Sequence, residues 1–258
     1  MKVVLFCGGL GMRLRDYSDK VPKPMVEVGY RPILWHVMKY YAAQGHKDFI
    51  LCLGYKADVI KRYFVDYDEY LSNDFVLRGS ETGIDLQTSD LHDWNITFVD
   101  TGYSSSIGER LRLVREHLDG EEMFLANYSD NVTDFPVSDL VGRMRATDCV
   151  AGFLAIRPPH SFHVARIDGS DSVTSIHETR DAELWINGGY FCLRNEIFDY
   201  LHEGEELVIE PFQRLIQEQR LMAIRYEGFW QNMDTFKDCV HLNELHERAE
   251  APWEIWRK

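Results

Sequence analysis

The feature that most constrains this chain is a pair of continuous apolar runs, VVLFC (Val3–Cys7) and the centre of DFILCLGY (Asp48–Tyr55). A β-prone run without polar alternation cannot turn one face to water, so each reads as a strand buried on both faces. Between them, Ile33, Leu34, Val37, Met38 and Tyr41 recur at helical spacing from Ile33 to Gln44, and Gly45 supplies a stop. DVIKRYF (Asp58–Phe64) starts another helix. Strand, helix, strand, helix in that order calls for right-handed crossovers and a parallel sheet.

The pattern continues. WNITFVDTG (Trp94–Gly102) reads as a strand with a loop beyond it, and GERLRLVREHL (Gly108–Leu118) as a helix. EMFLANYSDNV (Glu122–Val132) is a strand that ends in polar groups, and DCVAGFLAI (Asp148–Ile156) is another strand. Phe162–Glu178 forms a hairpin around Asp168-Gly169, INGGYFCLRNEIFDYL passes from strand to helix, and RLMAIRYEGFWQNMDT from strand to loop. Tyr67–Asp93 is polar and weakly periodic, an insertion rather than core. The expected fold is α/β, a Rossmann-like, mostly parallel sheet flanked by helices. A smaller β-rich portion in the second half would act as platform or lid. No repeat or linker divides the chain, so residues 1–258 read as one domain.

Hydrophobic residues make up 45% of the sequence, ample for a core on both faces of a sheet, and the formal net charge is -14. That balance argues against nucleic acid and membrane surfaces as partners, since both favour a basic face. The five cysteines are dispersed, without a CxxC pair, and mostly lie in apolar runs, as reduced buried thiols do. The Val3–Cys7 run is too short for a secretory signal, and no window approaches 18 apolar residues. A cytoplasmic location is expected.

The first strand runs into LFCGGLGMRLRDYSDKVPKPM (Leu5–Met25), with glycines at 8, 9 and 11. A tight turn alone would explain the glycines. It would not explain the cations behind them, five Arg or Lys against three Asp or Glu between Leu10 and Arg31. Glycine lets the backbone approach a phosphate, and amides at a helix start form an anion cradle. Arg13 can fork onto phosphate oxygens, and Lys23, bracketed by Pro22 and Pro24, supplies an aimed point charge. The segment is neither a P-loop, lacking G-K-[ST], nor a dinucleotide fingerprint, lacking a third glycine at Leu14. No HExxH, zinc-spaced histidine cluster or G-x-S-x-G is present.

The G-G-x-G-x-R-L loop followed by V-P-K-P-M resembles the sugar-1-phosphate nucleotidylyltransferases. VEVGYRPILWHVMKYY, GHKDFILCLGYKADVIKRYF, WNITFVDTG, GERLRLV, INGGYF, GFWQNMDT and APWEIW resemble its glucose-1-phosphate cytidylyltransferase branch. The resemblance covers essentially the whole chain. It implies a nucleotide-binding half of about residues 1–135 and an acceptor-binding half of about 136–258. Gly8, Gly9, Gly11, Met12, Arg13 and Arg110 would bind the nucleotide, with Arg13 and Lys23 as catalytic residues. Asp130 and Asp234 would hold Mg2+, a hard ion suited to carboxylates and phosphates. The family reads G-D-G where this chain has Ser129-Asp130-Asn131.

Glu178, Arg180, Asn187 and His163 would meet the acceptor. The family has an R-[FY]-G element at Ser161–His163 and E-K-P at Glu178-Thr179-Arg180, so a glycine has become His163 and a phosphate-gripping lysine has become Thr179. The implied reaction joins CTP and a sugar 1-phosphate, by default glucose 1-phosphate, into a CDP-sugar and pyrophosphate by direct in-line transfer. A different phosphorylated sugar or small phosphate or phosphonate as acceptor is the rival within that class. A non-catalytic nucleotide sensor is the rival outside it. A homo-oligomer is the assembly the resemblance implies, and the apolar APWEIW tail must dock on its own domain or on a neighbour.

Overall fold

The computed structural model describes residues 1–9, 21–79, 83–158, 163–178 and 184–257. β1 (Lys2–Phe6) leads to α1 (Ile33–Ala43), β2 (Asp48–Leu53), α2 (Ala57–Val65), β3 (Asn95–Asp100) and α3 (Ile107–Leu113). β4 (Met123–Asn127), β5 (Asn131–Thr133), α4 (Val137–Arg145), β6 (Ala151–Ile156), β7 (His163–Ile167), β8 (Val173–Glu178) and β9 (Ile186–Arg194) follow. α5 (Glu210–Gln217), β10 (Leu221–Tyr226), β11 (Trp230–Asn232) and α6 (Phe236–Glu247) complete the set used below. Of these, α4, α5 and α6 were not expected from the sequence, and β11 lies where a loop was expected.

Seven strands form one sheet in the order β10-β6-β9-β4-β1-β2-β3. Only β9 runs against its neighbours β6 and β4; every other pair is parallel. The continuous apolar run of β1 is used on both faces, as its lack of alternation requires. Val3 and Leu5 join a core with α1, α4 and α6, while Val4 and Phe6 join a second core with Leu111, Phe124, Phe191 and Phe212. The sheet is therefore sandwiched between helical layers.

Among the described residues four short antiparallel ribbons stand outside the sheet, including β5 with β11 and β7 with β8. The insertion at Tyr67–Asp93 holds a short helix (Glu69–Ser72) and a hairpin of Phe75–Arg78 with Gly83–Leu86. The tail docks on its own chain: Trp253 is fully buried, stacks on Phe229 and donates Nε1–H to His36 Nδ1 at 3.2 Å. Among the described residues no helix is long and apolar enough to cross a membrane.

Candidate active site

The strand order reverses between β1 and β4. The chain winds outward from β1 to β2 and β3, then returns to the other side of β1. Such a switch point leaves a crevice at the carboxyl ends of the two strands, because their following loops diverge. A cavity of about 190 Å3 lies there, lined by Phe6, Cys7, Gly9, Lys23, Pro24, Ile107, Tyr128, Ser129 and Asp130.

β4 delivers Asp130 to this crevice through a tight turn. Ser129 takes a left-handed conformation (φ 66°) while fully buried. That conformation favours glycine, and here two hydrogen bonds hold a serine in it instead. Its N–H donates to Asn127 Oδ1 at 2.7 Å, and its hydroxyl donates to the Phe6 carbonyl at 2.8 Å, tying the Asp130 turn to the end of β1.

Asp234 arrives from the other end of the sequence. β5 and β11 pair with Asn131 opposite Asn232, and Met233 N–H donates to the Asp130 carbonyl at 2.9 Å. The ribbon thus sets Asp130 and Asp234 side by side. Beyond Asp234, Thr235 and Asp238 form a capping box that starts α6 and pins the loop.

Lys23 sits in a single helical turn, Lys23–Met25. Its ammonium lies 2.6 Å from Asp130 Oδ2 and also pairs with Asp234 Oδ1. Burial pushes the Lys23 pKa down, but the two carboxylate charges and their hydrogen bonds outweigh it and the net shift is upward. The lysine is charged, and it holds the two carboxylates together.

Arg110 was expected to reach nucleotide phosphates, and its position is different in kind. It is 2% exposed, behind the glycine segment. Nη1 donates to the Leu53 carbonyl (3.1 Å) and Thr101 Oγ1 (2.7 Å), and Nη2 to the Gly8 carbonyl (3.1 Å). It ties together the loops that leave β1, β2 and β3. A phosphate contact would require breaking those bonds. The backbones converge so closely that a Cβ on Gly8 would lie 2.0 Å from Arg110 Nη1, and one on Gly54 would lie 2.6 Å from the Gly102 carbonyl. Thr101, Gly54 and Gly102 were missed in the sequence; the signal was a glycine just past each of two strands.

Asn187, expected on the acceptor side, accepts from Gly189 N–H at 2.8 Å and donates to Tyr128 Oη at 3.1 Å. It thereby fixes the Tyr128 ring in the cavity wall. His163 and Glu178 face each other in register at the base of the β7–β8 hairpin, both exposed. Gly11, Met12, Arg13 and Arg180 lie outside the described residues. Cys7, beside Gly8, is buried and its pKa is pushed up to about 12, so no thiolate nucleophile forms there.

Among the described residues no cluster of three or more His, Cys, Asp or Glu could hold a metal. The two carboxylates nevertheless suit Mg2+, which prefers oxygen donors and completes its shell with water and substrate phosphates. In this structure Lys23 Nζ lies between Asp130 Oδ2 and Asp234 Oδ1.

Comparison with known proteins decides the family. The nucleotidyl transferase family model matches residues 2–248. The chain belongs to that family. The glucose-1-phosphate cytidylyltransferase of Salmonella typhi is 39% identical over 257 residues, 99% of this chain and all of the relative. A probable glucose-1-phosphate cytidylyltransferase of Bacillus subtilis is 32% identical over 258 residues, again 99% of this chain and all of the relative. The fold matches UDP-glucose pyrophosphorylase complexed with UDP-glucose (TM-score 0.69, 14% identity, 96% of this chain and 98% of that one). It also matches HddC from Yersinia pseudotuberculosis (TM-score 0.67, 19% identity, 95% and 99%). Membership fits the mostly parallel sheet and the glycine–lysine opening of this nucleotidyltransferase.

Proposed function

We propose that this nucleotidyltransferase joins CTP and a sugar 1-phosphate, with glucose 1-phosphate the first acceptor to test, to give a CDP-sugar and pyrophosphate. The observation that carries the reading is Lys23 held between Asp130 and Asp234 at the switch point, in a cavity wall shared with Gly9. The full-length likeness to the Salmonella enzyme supports the choice of CTP.

A phosphate monoester has a second pKa of about 6, so it is ionised near neutral pH and needs no general base to attack the α-phosphorus. What the protein must supply is alignment of two polyanions and stabilisation of the leaving pyrophosphate. Gly9, exposed and with open space where a Cβ would stand, gives the triphosphate close access to the backbone. Lys23, once a metal takes its place between the carboxylates, would offer its positive charge to phosphate oxygens where charge develops. Asp130 and Asp234 would hold Mg2+, which neutralises phosphate charge and orients the leaving group when bound. Arg110 keeps the loops of β1, β2 and β3 in register. Transfer then passes directly between substrates, without an enzyme-bound intermediate.

A second reading concerns the acceptor. Thr179 and His163 stand where the resembled family has a lysine and a glycine, which favours a phosphorylated acceptor other than glucose 1-phosphate. Soluble assembly as a homo-oligomer in the cytoplasm accompanies both readings.

Pyrophosphate release from a panel of triphosphates and acceptor phosphates, with and without Mg2+, tests both. Release with CTP and glucose 1-phosphate at ordinary efficiency supports the first reading and removes the second. Release only with another acceptor supports the second and removes the first. No release with any pair refutes the enzymatic reading and favours a nucleotide sensor.

A further inference from the structure

The two aspartates at the cation position are each held by an asparagine. Asn131 Nδ2–H donates to Asp130 Oδ1 at 3.3 Å, while Asp130 Oδ2 faces Lys23 Nζ. Asn232 Nδ2–H donates to Asp234 Oδ2 at 2.8 Å, while Asp234 Oδ1 faces the same Nζ. The arrangement is paired by the fold, because Asn131 and Asn232 are directly opposed on the β5–β11 ribbon. Opposed residues of an antiparallel pair project from the same face.

Both amides are held against flipping. Asn131 Oδ1 accepts from Asn127 Nδ2 at 3.3 Å, and Asn232 Oδ1 accepts from Gln231 Nε2 at 3.4 Å. Rotating either amide would set an oxygen against a carboxylate and break the second bond. Each asparagine therefore presents a donor to its aspartate and occupies one carboxylate oxygen.

We infer that Asn131 and Asn232 are positioning residues that restrict Asp130 and Asp234 to one-oxygen ligation, and so select a small octahedral cation over Ca2+. The reason lies in coordination chemistry. Ca2+ takes six to eight oxygens at roughly 2.3–2.6 Å and readily accepts both oxygens of a carboxylate. Mg2+ and Mn2+ suit octahedral sites built from single oxygens, with water and phosphate filling the rest. A carboxylate whose second oxygen is held by an amide cannot turn both oxygens to the metal without losing that bond. Asn131 stands where the resembled family has glycine, so this chain supplies from a side chain a contact that glycine cannot make.

The inference rests on Asp130 and Asp234 being the metal ligands, and the experiment separates the two claims. Mn2+ alone is titrated into the full-length protein without nucleotide, free Mn2+ is read by electron paramagnetic resonance, and Ca2+ is the competitor. The parent is expected to bind Mn2+ and to resist displacement by Ca2+. Asn131→Gly and Asn232→Ala should each weaken Mn2+ binding by about 10-fold or more, as loss of a group that orients a ligand does. Ca2+ should be affected less, so the Mn2+/Ca2+ preference narrows. A merely structural role would lower the melting temperature and leave that preference unchanged, which overturns the inference. If Asn131→Gly does not fold, Asn232→Ala, at a partly exposed position, decides alone. A parent that binds no Mn2+, or binds it equally well after Asp130→Ala, refutes the metal-ligand reading itself.

Discussion

Replacing Lys23 by Met removes one charge and keeps most of the side-chain volume, leaving Asp130 and Asp234 facing each other without a cation. The lysine side chain is 13% exposed and the two carboxylates 22% and 26%. Removing one partner of a buried pair costs 3–5 kcal/mol, and partial exposure puts this site at the lower end, about 3 kcal/mol. For a chain of this size that lowers the melting temperature by about 6–12 °C. Scanning calorimetry in chelator should show that drop, with a cooperative transition retained. Adding Mg2+ should then raise the variant's melting temperature more than the parent's. In the parent an incoming cation must displace the ammonium, whereas in the variant no ammonium stands between the carboxylates. Turnover should fall about 100–1,000-fold, as for loss of a preorganised charge at a reacting centre. Equal melting in chelator, or equal shifts with Mg2+, would refute the view that Lys23 and the metal compete for one position.

Two further predictions concern the supports of the site. Gly8→Ala would set a Cβ 2.0 Å from Arg110 Nη1, whereas a Cβ on Gly9 meets nothing within 4 Å. Urea unfolding should show Gly8→Ala destabilised by about 1–3 kcal/mol from overpacking and Gly9→Ala close to parent; similar losses in both would remove the role given to Arg110. His36 is fully buried, with Nε2 2.9 Å from the Val28 carbonyl and Nδ1 accepting from Trp253, so the ring is neutral. Burial, followed by the nearby His246, Arg257 and Arg31 charges, lowers its pKa from 6.5 to about 3, against a raising effect of the Val28 bond. The unfolded chain takes up this proton first, so stability is present above pH 6.5 and is lost as pH falls toward 3. The loss is about 1.4 kcal/mol per unit, roughly 2 kcal/mol between pH 6.5 and 5. Denaturant titrations across that range should show a slope shallower by about one proton in His36→Gln; an unchanged slope would contradict the neutral buried ring.

Much of the sheet was legible because its strands are buried on both faces, and a run such as Val3–Cys7 has no other use. Phe236–Glu247 was less visible: its apolar positions are sparse, and its start is signalled chiefly by the box of Thr235 and Asp238. Asp130 and Asp234 could be named as partners from resemblance, but their meeting depends on a three-residue ribbon between segments about a hundred residues apart. No local pattern encodes that pairing. Arg110 shows the converse difficulty. Its position on an amphipathic helix could be read from spacing. The acceptors that absorb its donors are backbone carbonyls and a hydroxyl on three separate loops, which leave little side-chain signature.

The two halves of the site differ in how tightly their chemistry is fixed. A left-handed non-glycine residue costs about 1–3 kcal/mol, and at Ser129 the bonds to Asn127 and Phe6, each worth about 1 kcal/mol, offset that strain. With Asn131 and Asn232 on the aspartates and Arg110 behind Gly8, the lysine–carboxylate end is held by a network of buried and partly buried groups in which each change disturbs several partners. His163 and Glu178 stand instead on an exposed ribbon outside the main sheet, where a substitution disturbs little beyond its own contacts. Side chains there can diverge without altering the lysine–carboxylate centre. His163, where the resembled family has glycine, is therefore a change the fold tolerates, made on a ribbon apart from the lysine–carboxylate centre.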